Sequence, residues 1–399
     1  MNIHSPKQSW IQLLLIQVGG ALSLPVIMIG HLICKQHGWL AAVLTVSLGN
    51  ISLLFLGLAF ANLSLEKQQS TVEHAIHYFG EKGRVILTLL MTFTMLSWFA
   101  VQLNMMSLSL GQLLKIVGLS IPSIGLNVGT GVLLSTAMCL GIKAMRGAAT
   151  LITPLMILAL LSSTFFAQGS LPPGEALTAF WMGGLSVVIG GGITAVIDTP
   201  TFFQHARSKK DAYVAIILLY GLALPLIEGV GIYLSALTDG DSILEILQIG
   251  HGLAWTIAMA IFVFFCGGTT NLMNIYSATI SSFSLGKKLG FKTRMISLGI
   301  LGTIFACFNP LSYLNGMLDV LSLSVGSVGA IMLMNYLIPQ KSPRSSLFGA
   351  VFGIGAGLTS MLLPYLMTSI VALDAFFTAA GAYLIFNMIF AKEKSYAAQ

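Results

Sequence analysis

Twelve apolar runs follow one another along the chain, at 10–33, 39–61, 85–114, 124–142, 149–168, 176–199, 212–237, 252–283, 294–311, 316–338, 346–366 and 368–391. Each is close to or above the roughly 20 residues that a helix needs to cross about 30 Å of hydrocarbon. No water reaches the backbone there, so each run must satisfy its own amides as a helix. Only 8% of the 399 residues are charged, against about 25% in a soluble domain. A water-soluble enzyme cannot be clothed with so few charges. The runs are continuous rather than alternating, which also argues against an outer-membrane barrel. The expected fold is an all-α polytopic membrane protein of about 12 transmembrane helices.

The charges between the runs orient them. With the N-terminus inside, 17 of the 19 Lys and Arg residues fall in inner segments, and only Lys35 and Lys115 fall outside. Such a bias places both termini in the cytoplasm of a multi-pass inner-membrane protein. It also accounts for the net charge of +6 without an acidic partner, so no nucleic acid is expected. The first run carries Gly19, Gly20 and Pro25 and lacks a small-residue cleavage end, so it reads as a helix rather than a signal peptide. Cys34, Cys139, Cys266 and Cys307 are scattered and suggest neither zinc nor disulfides. His74 and His77 in the inner loop 62–84 share a helical face but are too few to hold a metal. No cofactor and no obligate protein partner is indicated.

Glycine clusters inside a span ask for a reason. The first run contains Gly19-Gly20-Ala21-Leu22-Ser23-Leu24-Pro25, and the sixth contains Gly190-Gly191-Gly192-Ile193-Thr194. If 10–168 and 176–338 are two five-helix halves, these are corresponding members. Five is odd, so the halves have opposite topology. Paired interruptions in an inverted repeat are the best sequence pointer to a transporter's central site. The reading therefore breaks helices 1 and 6 and places a cavity between them. Residues 346–391 form two additional helices between the repeat and a tail at 392–399, and residues 1–9 precede the first span.

Polar residues at membrane depth point to the same cavity. Trp98 and Gln102, four apart, share one face of the third helix. A flat ring and an amide suit a planar, hydrogen-bonding heterocycle. The eighth run carries Thr269-Thr270-Asn271-Leu272-Met273-Asn274: two hydroxyls suited to an alkali cation, and two amides suited to a substrate edge. Asp198 and Glu228 are ionisable groups within spans and hence functional hypotheses by default; both are candidates for proton coupling.

These residues, in their order, resemble the nucleobase–cation symporters, a family that includes carriers of cytosine and of hydantoins. The likeness runs over roughly 10–340. It is carried by Gly19, Gly49-Asn50, Ser97-Trp98-Phe99, Arg207, Thr269-Thr270-Asn271 with Tyr276, Leu321-Ser322, Gly329 and Asn335-Tyr336. The resemblance implies the five-plus-five inverted repeat of the leucine transporter with two extra helices, and cation-driven import by alternating access. By it, Trp98 stacks on the substrate, Gln102 and Asn271 or Asn274 bond its edge, and Ser23, Gly191 and Gly192 face it from the breaks. A sodium site would use carbonyls of Gly19, Leu22 and Cys266 with the hydroxyls of Thr269 and Thr270.

Three positions depart from the family pattern. Gly192 stands where an aromatic usually closes the other face of the ring, with no aromatic among 190–200. The acid at the end of helix 6 is displaced to Asp198. Asn335 replaces an acid before Tyr336. The expected partners are a small heterocycle (cytosine, a purine, a hydantoin, allantoin or a thiamine-precursor pyrimidine), a coupling sodium ion or proton, and the lipid bilayer. An amino-acid transporter of the same fold ranks second, because no acid is expected at a break centre. A non-transporting membrane receptor or scaffold is the remaining alternative. No motif supports an enzyme.

Overall fold

The computed structural model describes residues 7–138, 141–166, 182–238, 240, 242–248, 252–286, 288–338 and 343–396. Its helices are α1 (Trp10–Ala21), α2 (Leu24–His37), α3 (Trp39–Lys67), α4 (Thr71–Ile116), α5 (Ser123–Met138), α6 (Gly141–Phe166), α7 (Met182–Ile197), α8 (Thr199–Phe203), α9 (Lys209–Leu218), α10 (Leu224–Leu237), α11 (Ile243–Gln248), α12 (Leu253–Ser282), α13 (Phe291–Ala306), α14 (Leu314–Leu337), α15 (Pro343–Leu362) and α16 (Val371–Tyr396). Among the described residues, eight helices are long and apolar enough to cross a membrane, and α1 with α2 makes a further span bent by 61°. Helices α5, α6 and α13 occupy the places of the fourth, fifth and ninth runs. Asp239, Asp241, Lys287, Lys341 and the 168–176 junction, on which the charge and domain readings partly rest, lie outside the described residues.

The first break follows from its sequence. Pro25 has no N–H to donate and fits the first turn of a helix, and Ser23 is a favoured N-cap. Ser23 is extended (φ −145°, ψ 155°), so α1 closes with the Leu22 amide on the Val18 carbonyl at 2.7 Å. The carbonyls of Gly19 and Gly20 thereby lose the amides four residues on.

Helix 6 is interrupted elsewhere than expected. Helix α7 runs unbroken through Gly190-Gly191-Gly192, and the interruption is the single residue Asp198 (φ −84°, ψ 1°). Its cause is Pro200, which withholds the amide that the Val196 carbonyl would take. The glycines serve packing instead. A Cβ on Gly190 would meet Ser322 of α14, one on Gly191 would meet Ile29 of α2, and one on Gly192 would meet Leu53 of α3. This is the small-residue close approach common between membrane helices.

Two further irregularities matter below. Gly80 (φ 68°, ψ −174°) sets a short segment, Thr71–Phe79, apart from the long span of α4. Residues Leu219–Ala223 form a π turn between α9 and α10. A single parallel bridge joins Gln8 to Ala206 just after α8: the Gln8 amide donates to the His205 carbonyl and the Arg207 amide to the Gln8 carbonyl, both at 2.8 Å. The Trp10 amide donates to Asp211, which also accepts from Ser208 and Arg207.

Apolar side chains face both ways. A core of Leu13, Phe60, Ile193, Ile216 and Met332 joins α1, α3, α7, α9 and α14. Phe55, Ile86, Val132, Leu158, Leu226 and Phe377 are exposed on the periphery, where lipid rather than water is their natural solvent. Polar side chains gather inside the bundle.

Candidate substrate and cation site

A cavity of about 120 Å³ lies where the first break meets α4, α7, α8, the π turn and α12. Ser23, Trp98, Gln102, Gly191, Gly192 and Asn274 all line it, as does Thr270. Six of the seven residues read as substrate contacts thus come together from four remote stretches of chain. The exception is Asn271. It is fully buried between α12 and α4, with its amide nitrogen 4.0 Å from the Met106 sulfur, and does not reach the cavity. Of the two asparagines, Asn274 takes the position on the wall. Its Nδ2 and the Thr194 hydroxyl are buried without a hydrogen-bond partner among the described residues. Buried polar groups are nearly always satisfied, so two orphans on one cavity wall point to a hydrogen-bonding occupant.

The wall also holds residues that the sequence did not single out: Gln17, Phe202, Leu219, Tyr220 and Met273. Phe202 and Tyr220 place two further aromatics on the wall with Trp98. The companion rings come from α8 and the π turn rather than from residues 190–200. Gly192 is correspondingly not an open slot for a ring, because its missing side chain is the space taken by Leu53. Gln17 was legible in part, as an amide two residues before the first glycine pair.

Beside the cavity, hydroxyls and carbonyls converge. The Thr269 hydroxyl lies 2.9 Å from the Gly19 carbonyl, 3.0 Å from that of Cys266 and 3.1 Å from that of Phe265. The Thr270 hydroxyl lies 2.9 Å from the Gly20 carbonyl and 3.0 Å from that of Cys266. Each hydroxyl has one proton to give. The two threonines therefore take up the carbonyls that the first break released. Gly19, Cys266, Thr269 and Thr270 meet as expected, and Gly20 joins them. Leu22 contributes a buried side chain to the apolar cluster that contains Cys266. The set is all oxygen, the chemistry of a hard cation rather than a transition metal. Among the described residues no group of three His, Cys, Asp or Glu side chains forms a metal site.

The two buried acids occupy different places. Asp198 reaches the edge of the cavity and accepts hydroxyl bonds from Ser277 of α12 at 2.5 Å, Thr201 of α8 at 2.6 Å and Thr71 of α4 at 3.1 Å. An acid does therefore stand at the centre of the second break, against expectation. Glu228 of α10 lies away from the cavity and accepts from the Asn50 amide of α3 at 2.5 Å. Asn335 donates to the Ile331 carbonyl and to Ser346, and accepts from Tyr383 of α16, so it ties the extra helices to α14.

The fold that carries this arrangement is leucine-transporter-like. The comparisons agree. Mhp1, a nucleobase-cation-symport-1 family transporter, in a closed conformation with bromovinylhydantoin bound, superposes with a TM-score of 0.77 at 16% identity, over 97% of this chain and 94% of its own. A Na⁺-coupled sialic acid symporter in a substrate-bound outward-open state gives 0.68 at 14% identity, over 96% and 90%. In sequence, the cytosine permease of Escherichia coli strain K12 is 24% identical over 93% of this chain and 91% of its own length. No protein-family profile matches the chain. In sequence and in fold the chain resembles the nucleobase–cation symporters, and its relatives are transporters, not enzymes.

Proposed function

We propose that this protein is a secondary transporter that imports an uncharged nucleobase-like heterocycle by alternating access, with sodium as the coupling ion. The observation that carries the reading is the cavity at the first break, where the Trp98 ring, the amides of Gln17, Gln102 and Asn274, and the Ser23 turn converge. An aromatic platform with amides around it recognises a flat ring by its face and its edge. Trp98, Gln102, Ser23 and Asn274 are the proposed substrate contacts, with Gly191 and Gly192 as backbone wall. Gly19, Gly20, Cys266, Thr269 and Thr270 are the proposed cation ligands. The halves 10–168 and 176–338 are the proposed repeats, and the cell's inner membrane is the proposed location. A resemblance to carriers of cytosine and hydantoin derivatives supports the substrate class, and the oxygen set at the break supports sodium.

Asp198 favours a second reading. A carboxylate at the cavity edge would suit the ammonium of an amino acid, although three hydroxyls already occupy it. One screen separates the two. Purified protein is melted in the presence of cytosine, purines, hydantoins or amino acids, with and without sodium. A ligand at a hundred times its Kd stabilises the folded state by about 2.7 kcal/mol. Heterocycles are expected to raise the melting temperature, and to do so more strongly with sodium. Stabilisation by amino acids alone would favour the second reading. For topology, a cysteine replacing Glu245 should react with an impermeant thiol reagent on intact cells, and one replacing Lys288 should react only after permeabilisation. The reverse pattern would overturn the proposed orientation.

A further inference from the structure

A second and larger cavity, about 480 Å³, lies between the C-terminal third of α4, the start of α5 and α11. None of the residues that form the first cavity lines it. Its floor is polar and deeply buried: Asn104, Ser107 and Asn127 are 3%, 2% and 2% exposed. Four floor and wall atoms, the oxygens of Asn104, Ser107, Gln112 and Asn127, have no hydrogen-bond partner among the described residues. Asn127 is fixed in its orientation, because its Nδ2 donates to the Ala306 carbonyl of α13 at 3.0 Å. Its free end is therefore the acceptor. Exposed residues, among them Lys115 and Glu245, stand at the mouth.

Buried polar atoms without a partner are costly, and four at one cavity ask for something to meet them. The volume falls within the range of small-molecule sites, about 300–1,000 Å³. Three of the four orphans are amide oxygens and ask for N–H donors. One cation and one carboxylate at the mouth cancel, which gives no preference for a net charge.

We propose that this cavity is a second binding site on the chain, for an uncharged ligand presenting several N–H donors, the chemistry of an amino-substituted heterocycle. The proposal rests on the transport reading above and extends it. A substrate molecule would be held at the far end of α4 while another occupies the cavity at Trp98.

The test is binding stoichiometry, measured by equilibrium dialysis of radiolabelled cytosine against the purified full chain. Two molecules per chain are expected. At a free cytosine concentration well below the weakened Kd of Trp98→Ala, that variant should lose one, and Asn127→Leu should lose the other. Occupancy at Trp98 then shows that Asn127→Leu has folded. If that variant does not fold, Gln112→Leu on the cavity wall replaces it and should likewise leave one molecule bound. One molecule per chain in the wild type, lost in Trp98→Ala, would overturn the second site alone. So would two molecules that persist in both Asn127→Leu and Gln112→Leu. No binding of cytosine at any concentration up to its solubility would remove the nucleobase reading and this proposal with it.

Discussion

Replacing Trp98 by alanine should reduce the affinity for a heterocyclic substrate about tenfold to a hundredfold. An aromatic platform contributes roughly 1–3 kcal/mol to a stacked base, and about 1.4 kcal/mol is a factor of ten. The ring is half-buried, packs against the apolar cluster of Val101, Leu314 and Leu318, and lines the cavity. Truncation removes the platform without unseating a buried charge. Trp98→Phe should keep part of the affinity. Phe202 and Tyr220 share the cavity, so residual binding in Trp98→Ala should fall again when Tyr220→Leu is added. Concentration-dependent uptake of labelled cytosine into proteoliposomes measures all three. Wild-type affinity in Trp98→Ala would sink the stacking assignment.

Thr270→Ala should raise the sodium concentration for half-maximal uptake tenfold or more, while substrate binding at saturating sodium changes less. The substitution removes one hard oxygen and leaves the Gly20 carbonyl, which the break has stripped of its helical amide, without its 2.9 Å partner. Leaving a buried acceptor unpaired costs roughly 1–3 kcal/mol. Thr270→Ser keeps the hydroxyl and should stay near wild type. If uptake by the wild type ignores sodium and collapses with the proton gradient, the sodium assignment is wrong. Asp198, which reaches the cavity, would then be tested before Glu228, which does not.

The sequence carried the fold further than it carried the site. Continuous apolar runs bounded by cations leave few alternatives to membrane helices, and among the described residues each of the twelve runs corresponds to a helix or helix pair. The first break was legible because Ser23 and Pro25 specify a cap and a helix start. The second was misplaced because glycine was read as a breaker. Glycine weakens a helix by about 1 kcal/mol relative to alanine but keeps its amide, whereas proline removes a bond outright. Gly190, Gly191 and Gly192 therefore stay helical and pack, and Pro200 interrupts. Trp98, Gln102 and Asn274 could be picked out as costly residues at membrane depth. Phe202 and Tyr220 could not. Tyr220 lies in an apolar run, where an aromatic looks like core, and Phe202 lies in the segment after the sixth run; only the tertiary arrangement brings both to the cavity wall.

The π turn at Leu219–Ala223 has a mechanical consequence. Leu219, Tyr220 and Leu224 line the cavity, as do Ala21 and Ser23 on either side of the first break. The two helix junctions thus sit at one depth. Below that level α1 lies along α9, fastened by the Gln8, Arg207 and Trp10 bonds. Beyond it α2 lies along α10, so closely that a Cβ on Gly30 would meet the Glu228 backbone and one on Gly231 the Ile27 backbone. Two stiff struts, α1 with α9 and α2 with α10, are therefore jointed at a common pivot, and the cavity is the pivot. A ligand at the proposed site would touch both struts at once.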